Sequence, residues 1–359
     1  MSSPPAPRAV LFFAASLATM SSPLVAETHD LAVDVPARLG VADFTTGQIV
    51  RSVDASYGTV ITLPAAAAIS ALHRRPDATW LLAFAQPYTP VATTYEPRDV
   101  VSYDGGTFST LLAGSTAGIP ANTRIDALFV DAATGDLVLS FAAPTRLGAA
   151  DYGPSDLVRY NGAFSLYWSA AAAGVPVGSN LCGAGVTSAG SLVVSFDVPT
   201  RLGGVDYLPG ELVRWAGGTS FAAYAVDPAW PPGSQLRDFS FLPPSGALPQ
   251  SASAGTPLTI AKGVAGTIVL SWGGSCIGTD NDYEVYEGTV GGTFTSHAPR
   301  FCSTGGATSQ ELTPIPVRAY YLVVPRNGVA EGSYGTLSGG AERPPSGSAC
   351  RPREIGTCM

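Results

Sequence analysis

The sequence has little lysine, histidine or charge of either sign. Lys262 is the only lysine, there are 3 histidines, and charged residues make up 13% of the 359 residues, with a formal net charge of −8. Nucleic-acid binders need clustered lysine and arginine to displace counterions, so this composition excludes nucleic acid as a partner. The main apolar run, Ala9 to Met20, is shorter than the roughly 20 residues of a membrane-spanning helix, so we expect no membrane span.

Motifs that carry catalytic or cofactor chemistry are also missing. The sequence has no HExxH, paired CxxC, GxSxG or phosphate-binding loop, and His29, His73 and His297 are scattered. We therefore predict no catalytic residue and no cofactor. Calcium is kept as a candidate ion because carboxylates are its usual ligands. The candidate ligands are Asp126 and Asp238 on predicted first strands of the repeats described below, and Asp280 and Asp282 in a polar loop.

The amino end has the pattern of a secretory signal. Arg8 precedes the apolar run, and the small-residue stretch SSPLVA follows it. This pattern predicts a signal peptide over 1–26 with cleavage after Ala26, and Ala18 is the alternative cleavage site. The mature protein is then secreted, periplasmic or on the cell surface.

One segment of about 20 residues occurs repeatedly in the sequence. FDVPTRLGGVDYLPGELVRW (196–215) repeats FAAPTRLGAADYGPSDLVRY (141–160), and more divergent copies lie at 31–53 and 82–103. The marker prolines Pro36, Pro87, Pro144 and Pro199 are 51, 57 and 55 residues apart. Within a unit, short apolar runs such as 125–130, 137–141, 156–160 and 164–168 predict four strands. Four strands per repeat of about 54 residues indicate an all-β, four-bladed β-propeller.

The ends of the repeat region indicate how it closes. The first unit begins at its second strand, Leu31 to Val35, and after the fourth unit the chain adds LRDFSFL, Leu236 to Leu242. This extra run fits as the missing first strand. Its pairing with the amino-terminal strand would close the ring and remove two exposed sheet edges, so the propeller is predicted over 27–242.

Three repeats share an arginine and an aspartate at one spacing. We interpret these residues as structural, forming an ion pair or turn cap across the loop between the second and third strands. A catalytic site needs unlike residues that converge once. The three pairs are Arg38 with Asp43, Arg146 with Asp151, and Arg201 with Asp206.

A linker-like segment, 243–256, separates the repeats from a different pattern at 257–343. Trp272 in TIVLSW, the alternating strand DYEVYEG with Tyr283, and the segment with Leu312 and Tyr320 resemble a fibronectin type III domain. The resemblance implies a β-sandwich in which the tryptophan packs on the tyrosine. The stretch EGSYGTLSGGAERP resembles the end of the fibronectin-like module in a group of exported, uncharacterised bacterial proteins. Many proteins of that group carry blade-like repeats ahead of the module.

Five cysteines in an exported chain permit disulfides. In the sandwich that the resemblance implies, Cys276 and Cys302 lie at the same end, so we predict that they pair. Cys350 and Cys358 flank a short loop in the tail, 344–359, and could pair with each other. Cys182 is interpreted as a buried small residue.

We therefore predict an exported, non-enzymatic binding protein that uses a propeller face, with the fibronectin-like module as a spacer. The ligand is an extracellular protein or a glycan. Candidate anchors are Trp168, Trp215, Tyr224 and Trp230, although most of them also fit a blade core. The alternatives are a secreted hydrolase or lyase acting on polysaccharide, or a structural envelope component.

Overall fold

A computed structural model describes residues 27–53, 56–64, 67–225, 230–250, 255–291, 294–315 and 318–358. The predicted signal peptide, 1–26, lies outside the described residues. The described part is almost entirely β-structure, with one four-residue helix, α1 (Gly114–Ala117). Among these residues, no helix has the length and hydropathy of a membrane span.

The strands are short, which agrees with the many glycines and prolines of the sequence. In chain order they are β1 (His29–Val33), β2 (Ala37–Leu39), β3 (Ala42–Phe44), β4 (Gln48–Val53), β5 (Ser56–Thr62), β6 (Ile69–Arg74), β7 (Trp80–Phe84), β8 (Val100–Tyr103), β9 (Phe108–Leu112), β10 (Ile125–Val130), β11 (Leu137–Phe141), β12 (Thr145–Leu147), β13 (Ala150–Tyr152), β14 (Leu157–Tyr160), β15 (Phe164–Trp168), β16 (Leu181–Val186), β17 (Leu192–Phe196), β18 (Thr200–Leu202), β19 (Val205–Tyr207), β20 (Leu212–Gly217), β21 (Ser220–Ala225), β22 (Leu236–Phe241), β23 (Thr259–Lys262), β24 (Ile268–Ser271), β25 (Asp282–Thr289), β26 (Ala298–Phe301), β27 (Ser309–Leu312) and β28 (Ala319–Arg326).

The repeats form four antiparallel sheets of four strands each. Sheet 1 has the order β22-β1-β4-β5, sheet 2 β6-β7-β8-β9, sheet 3 β10-β11-β14-β15 and sheet 4 β16-β17-β20-β21. The predicted pairing of the late strand with the amino-terminal one is confirmed, because β22 pairs with β1 in a register that places Phe241 opposite His29 and Phe239 opposite Leu31. The strands predicted over 125–130, 137–141 and 164–168 are also present.

Apolar cores lie between successive sheets. One core joins sheet 1 to sheet 2, a second joins sheet 2 to sheet 3, and a third joins sheet 3 to sheet 4. A fourth core packs Val193 and Leu212 of sheet 4 against Leu31, Val50 and residues of β22 in sheet 1. Each sheet therefore buries both of its faces against neighbours, which a single repeat could not do alone.

The inner strands of the four sheets share one acceptor. Asp238 on β22 is completely buried. Its Oδ2 accepts the N–H groups of Leu72 on β6 at 2.9 Å and Leu128 on β10 at 3.1 Å. Its Oδ1 accepts those of Ala184 on β16 at 3.2 Å and Phe239 at 2.8 Å. One carboxylate thus ties together backbone groups from sheets 1, 2, 3 and 4.

The segment predicted as a loop between the second and third strands is a small hairpin in sheets 1, 3 and 4. These hairpins are β2-β3, β12-β13 and β18-β19. In the third, Thr200 and Leu202 are buried while Arg201 points outward, and Gly203 turns the chain with φ of 57°. This alternation of buried and exposed side chains is typical of a strand. In the sequence it is short and is followed by glycine, so the segment was predicted as a loop.

Two three-stranded sheets follow the repeats, in the orders β23-β24-β27 and β26-β25-β28. A core of Leu270, Trp272, Val285 and Leu312 lies between them. The expected packing of Trp272 on Tyr283 is observed, edge to face with ring centroids 5.6 Å apart.

The predicted disulfide pairing is wrong. Cys276 is bonded to Cys358, and Cys302 to Cys350, so the Cys276–Cys302 bridge and a local Cys350–Cys358 bridge are both absent from the structure. The reason is that the tail folds back over the last two sheets, where the Glu354 N–H donates to the Glu331 carbonyl at 2.9 Å. Cys182 is free and buried, as expected.

Candidate functional site

A cavity of about 500 Å³ opens between sheet 3 and sheet 4. Tyr167 and Trp168, at the end of β15, form one wall. Arg214 and Trp215 on β20 form the opposite wall, and Ser191 lies at the rim where β17 begins. Ligand pockets usually have volumes of a few hundred cubic ångströms, with aromatic walls and a few polar groups, and this cavity has those features.

The two tryptophans sit together because their strands pack in the core between the sheets. Trp168 is 6% exposed, and its ring meets that of Trp215 edge to face with centroids 6.0 Å apart. Trp215 donates its indole N–H to the Gly218 carbonyl at 2.9 Å. The indole nitrogen is therefore satisfied within the protein, and Trp215 presents hydrocarbon surface to the cavity.

Arg214 is the charged group of the cavity. Within the described residues its side chain makes no hydrogen bond or ion pair, and its register neighbours across the sheet are Val193 and Ala222. By contrast, Arg159 of sheet 3 lies 5.2 Å from the ring centroid of Tyr167 and is paired with Asp131. The cavity therefore combines two indoles, a phenol and an unneutralised guanidinium.

The other predicted anchors lie elsewhere, in the core between sheets 4 and 1. The hydroxyl of Tyr224 accepts the Glu27 N–H at 3.1 Å, and its ring meets Phe241 edge to face. Trp230 donates its indole N–H to the Ser234 carbonyl at 3.2 Å. The structure thus brings Trp168 and Trp215 together and leaves these two aromatics in structural positions.

The recurring arginines and aspartates form the expected ion pairs, one in each of the three small hairpins. The N–O distances are 3.6 Å for Arg38 and Asp43, 3.1 Å for Arg146 and Asp151, and 2.8 Å for Arg201 and Asp206. The side chains are 64–77% exposed, so each pair contributes about 0–1 kcal/mol to stability.

The four aspartates considered as cation ligands are distributed over separate environments. Both side-chain oxygens of Asp238 accept hydrogen bonds from backbone N–H groups. Burial raises the pKa of Asp126 to about 7, and its Oδ2 accepts the Asn180 amide at 3.0 Å. In the described residues, no cluster of three or more histidine, cysteine, aspartate or glutamate side chains has the arrangement of a metal site.

The two aspartates of the carboxy-terminal region are not free loop residues. Asp280 accepts the N–H of Gly246 at 2.8 Å. Asp282 is buried, contrary to its interpretation as a polar-loop residue. Burial opposes its ionisation, but hydrogen bonds from Ser303 and from backbone N–H groups outweigh burial and hold its pKa below the ordinary value. Arg326 pairs with it. Both carboxylates therefore hold neighbouring segments of the chain together through hydrogen bonds and, for Asp282, an ion pair.

A pair of carboxylates that the sequence analysis missed lies beneath the tail. The hydroxyl of Tyr286 is 2.7 Å from the Oε2 atoms of both Glu284 and Glu331, and the Tyr334 hydroxyl donates to Glu331 at 2.6 Å. Both glutamates are completely buried. A glycosidase needs two carboxyl groups that flank a bound sugar, whereas this pair has no exposed surface to meet one.

Comparisons with known proteins give partial structural similarities and no family. No known family model matches the chain, and no curated protein matches it. Similar solved structures include the extracellular domain of a hybrid two-component system from B. thetaiotaomicron, with 10% identity, 67% of this chain and 37% of that chain covered, and a TM-score of 0.28. This chain thus spans little more than a third of that protein.

Two further structures are similar in part. One is catalytically inactive virginiamycin B lyase from Staphylococcus aureus with quinupristin, with 11% identity, 81% and 71% of the two chains covered, and a TM-score of 0.26. The other comprises the FN1–FN3 domains of chicken CNTN1, with 11% identity, 64% and 97% covered, and a TM-score of 0.20. At such TM-scores no activity, ligand or partner follows for this chain.

Proposed function

We propose that this chain is an exported, non-enzymatic binding protein whose ligand site is the cavity between sheets 3 and 4. Residues 27–242 form a four-bladed β-propeller, 243–256 a linker, and 257–343 a fibronectin type III-like spacer. Residues 344–359 form a tail that is bonded to the spacer. The single observation that carries the proposal is the meeting of Trp168, Trp215 and Arg214, which has no ion-pair partner in the described part of the chain, in one cavity.

The propeller assignment is supported by the way the repeats pack. The four sheets have the same strand order apart from the late first strand of sheet 1, and the four apolar cores join sheets 1–2, 2–3, 3–4 and 4–1. A cyclic set of contacts with the last strand added to the first sheet is how propellers protect their edges.

Export is supported by two independent features. The sequence 1–26 has the charged, apolar and small-residue regions of a signal peptide. The chain also carries two disulfides, which persist mainly in oxidising compartments. A glycan or a protein outside the cytoplasm is therefore the expected class of ligand.

The site is tested by removing one indole from the cavity. We expect Trp215→Ala to lower affinity for a ligand selected on a glycan array by about tenfold or more, because central aromatic residues carry most of the binding free energy. Binding is measured by calorimetry, with hydrolysis of the same ligand followed in parallel.

The matched control is Trp230→Ala, which removes another half-buried indole whose N–H also donates to a backbone carbonyl. It should leave affinity unchanged. Equal affinity of the Trp215→Ala variant and the unaltered protein would contradict the proposed site, and release of cleaved product would favour the secreted hydrolase instead.

A further inference from the structure

We propose that the cavity binds an acidic sugar, with the carboxylate of a uronic acid residue held by Arg214 and the sugar ring packed against Trp215 and Trp168. This inference rests on the proposed function of the cavity and specifies its ligand. The argument comes from comparing sheet 4 with its own repeats.

Three sheets carry an arginine at the same place on their third strand. Arg51 on β4, Arg159 on β14 and Arg214 on β20 each directly follow a valine that pairs with the second strand of its sheet, namely Val50, Val158 and Val213. The repeat therefore places a guanidinium at one position in sheets 1, 3 and 4.

In two of these sheets the protein neutralises the arginine. Arg51 donates from Nε and Nη2 to the two oxygens of Asp30, at 2.8 and 3.0 Å. Arg159 lies 2.7 Å from Asp131 and 3.6 Å from Asp136. Asp131 and Asp136 both belong to the turn between β10 and β11, the first and second strands of sheet 3.

Sheet 4 closes the equivalent turn with different residues and with one residue fewer. The Asp131 N–H donates to the Asp136 carbonyl at 2.9 Å in sheet 3, and the Thr187 N–H donates to the Ser191 carbonyl at 3.0 Å in sheet 4. Thr187 and Ser191 therefore occupy the places of the two aspartates. Two carboxylates are replaced by two neutral hydroxyl groups, so Arg214 has no carboxylate partner among the residues that the structure describes.

Three acids of the described residues near the two turns have hydrogen-bond or ion-pair partners other than Arg214. The carboxylate of Glu27 accepts the N–H of Ser188 at 3.0 Å and its hydroxyl at 2.6 Å. Asp131 and Asp136 are held by Arg159. In a chain with a net charge of −8, an arginine that no carboxylate of the described residues pairs with is a local site for an external one.

The chemistry of the cavity matches a carboxylate attached to an apolar ring face. A guanidinium binds a carboxylate through two parallel N–H···O bonds. The lining residues Tyr167 and Trp215 offer aromatic surface, the largely buried Trp168 packs behind Trp215, and Ser191 adds a neutral polar residue to the lining. A uronic acid residue carries a carboxylate and a ring with hydrocarbon faces in one small unit.

The test uses the full exported chain and two matched sets of probes. The first set contains trimers of galacturonic, glucuronic and mannuronic acid, and the second contains the same trimers with each carboxyl group reduced to an alcohol. We expect at least one acidic trimer to bind about tenfold or more tightly than its reduced form, with affinity that falls as salt is added.

Two variants locate the effect at Arg214. Arg214→Gln should remove the preference for the acidic trimer. Ser191→Asp restores a carboxylate where sheet 3 has Asp136 and should do the same while keeping the arginine. Arg201→Gln changes the net charge equally in the exposed hairpin of the same repeat, and it should leave the preference intact.

The outcomes separate the ligand class from the site. Equal binding of acidic and reduced trimers, with loss of both in Trp215→Ala, would overturn the acidic-sugar inference and leave the proposed site standing. Failure of every trimer to bind would overturn the inference, and the glycan array with Trp215→Ala would then decide the proposed site by itself.

Discussion

A single buried carboxylate, that of Asp238, accepts backbone N–H groups from four different strands. Burial raises its pKa well above the ordinary value, and hydrogen bonds from Leu72, Phe239, Ala184 and Leu128 oppose that rise. Gly183 gives space to the neighbouring Phe239, since an added Cβ would lie 3.0 Å from its ring. Both oxygens of Asp238 thus have hydrogen-bond donors from the inner strands of the four sheets.

Asp238→Ala should cost at least about 3 kcal/mol in the free energy of unfolding, because it leaves several buried N–H donors without an acceptor, each at about 1–3 kcal/mol. Asp206→Ala, which removes an exposed and paired aspartate, should cost less than about 1 kcal/mol. Urea unfolding of both variants measures the difference, and similar costs would show that the central carboxylate is not structural.

The buried glutamate pair provides a second observation at the residue scale. A tyrosine hydroxyl has one proton, yet Tyr286 lies at hydrogen-bond distance from both Glu284 and Glu331. One of the two carboxyl groups must therefore donate a proton of its own. Burial, followed by the neighbouring Glu331, raises the pKa of Glu284 to about 8, so the proton is held at neutral pH.

This raised pKa predicts a loss of stability as the pH rises. Between the ordinary glutamate pKa and about 8, the unfolded chain releases the proton while the folded chain retains it, so the free energy of unfolding falls across that window. Glu354 and Asp126, whose pKa values burial raises to about 7, act in the same direction. Thermal unfolding at a series of pH values should show the decline.

Glu284→Gln should make that decline shallower, because the amide can still donate to Tyr286 but cannot titrate. The slope that remains belongs to Glu354, Asp126 and Asp238, whose pKa values burial also raises. Burial lowers the pKa of His29, His73 and His297, which therefore act in the opposite direction below the ordinary histidine value of 6.5, so the decline is measured above that pH. An unchanged slope in the variant would mean that the glutamate pair does not hold the proton.

At the scale of elements, β22 is separated from its partner by the whole repeat region. Leu31 of β1 pairs with Phe239 of β22 on one side and with Val50 of β4 on the other. Sheet 1 is therefore assembled from both ends of the region, and its folding couples all four sheets.

Replacing Leu236–Leu242 with a Gly-Ser sequence of equal length should abolish cooperative unfolding of the repeat region, since it exposes an edge of sheet 1 and removes the apolar residues that join it to sheet 4. The comparison with Asp238→Ala separates loss of the strand from loss of its carboxylate. A calorimetric transition like that of the unaltered chain would rule out closure by this strand.

The repeat strands could be predicted from the sequence because their alternation and turn residues are local signals. The runs 125–130, 137–141 and 164–168 coincide with β10, β11 and β15. The small hairpins were missed because three-residue strands such as β18 lie below the length at which alternation is distinguishable from a loop.

At the scale of the whole molecule, the tail contacts both parts of the chain. Glu354 accepts the Thr28 N–H at 3.0 Å at the start of the repeat region. The Cys350 N–H donates to the Tyr286 hydroxyl at 3.1 Å beside the second disulfide. These contacts explain why the cysteine partners could not be derived from spacing: the tail returns across two sheets before it meets Cys276 and Cys302.

The sequence by itself determined the all-β class, the four repeats and the strand that pairs with the amino end, because each depends on local periodicity or on counting repeats. The contact of Trp272 with Tyr283 was expected only from the resemblance to a fibronectin type III domain. Only the tertiary structure decided which residues form the cavity, which cysteines pair, and where Asp238 directs its oxygens. The physical reason is that packing between sheets joins residues far apart in the chain, so of three arginines at equivalent repeat positions two pair with aspartates and the third has no such partner among the described residues.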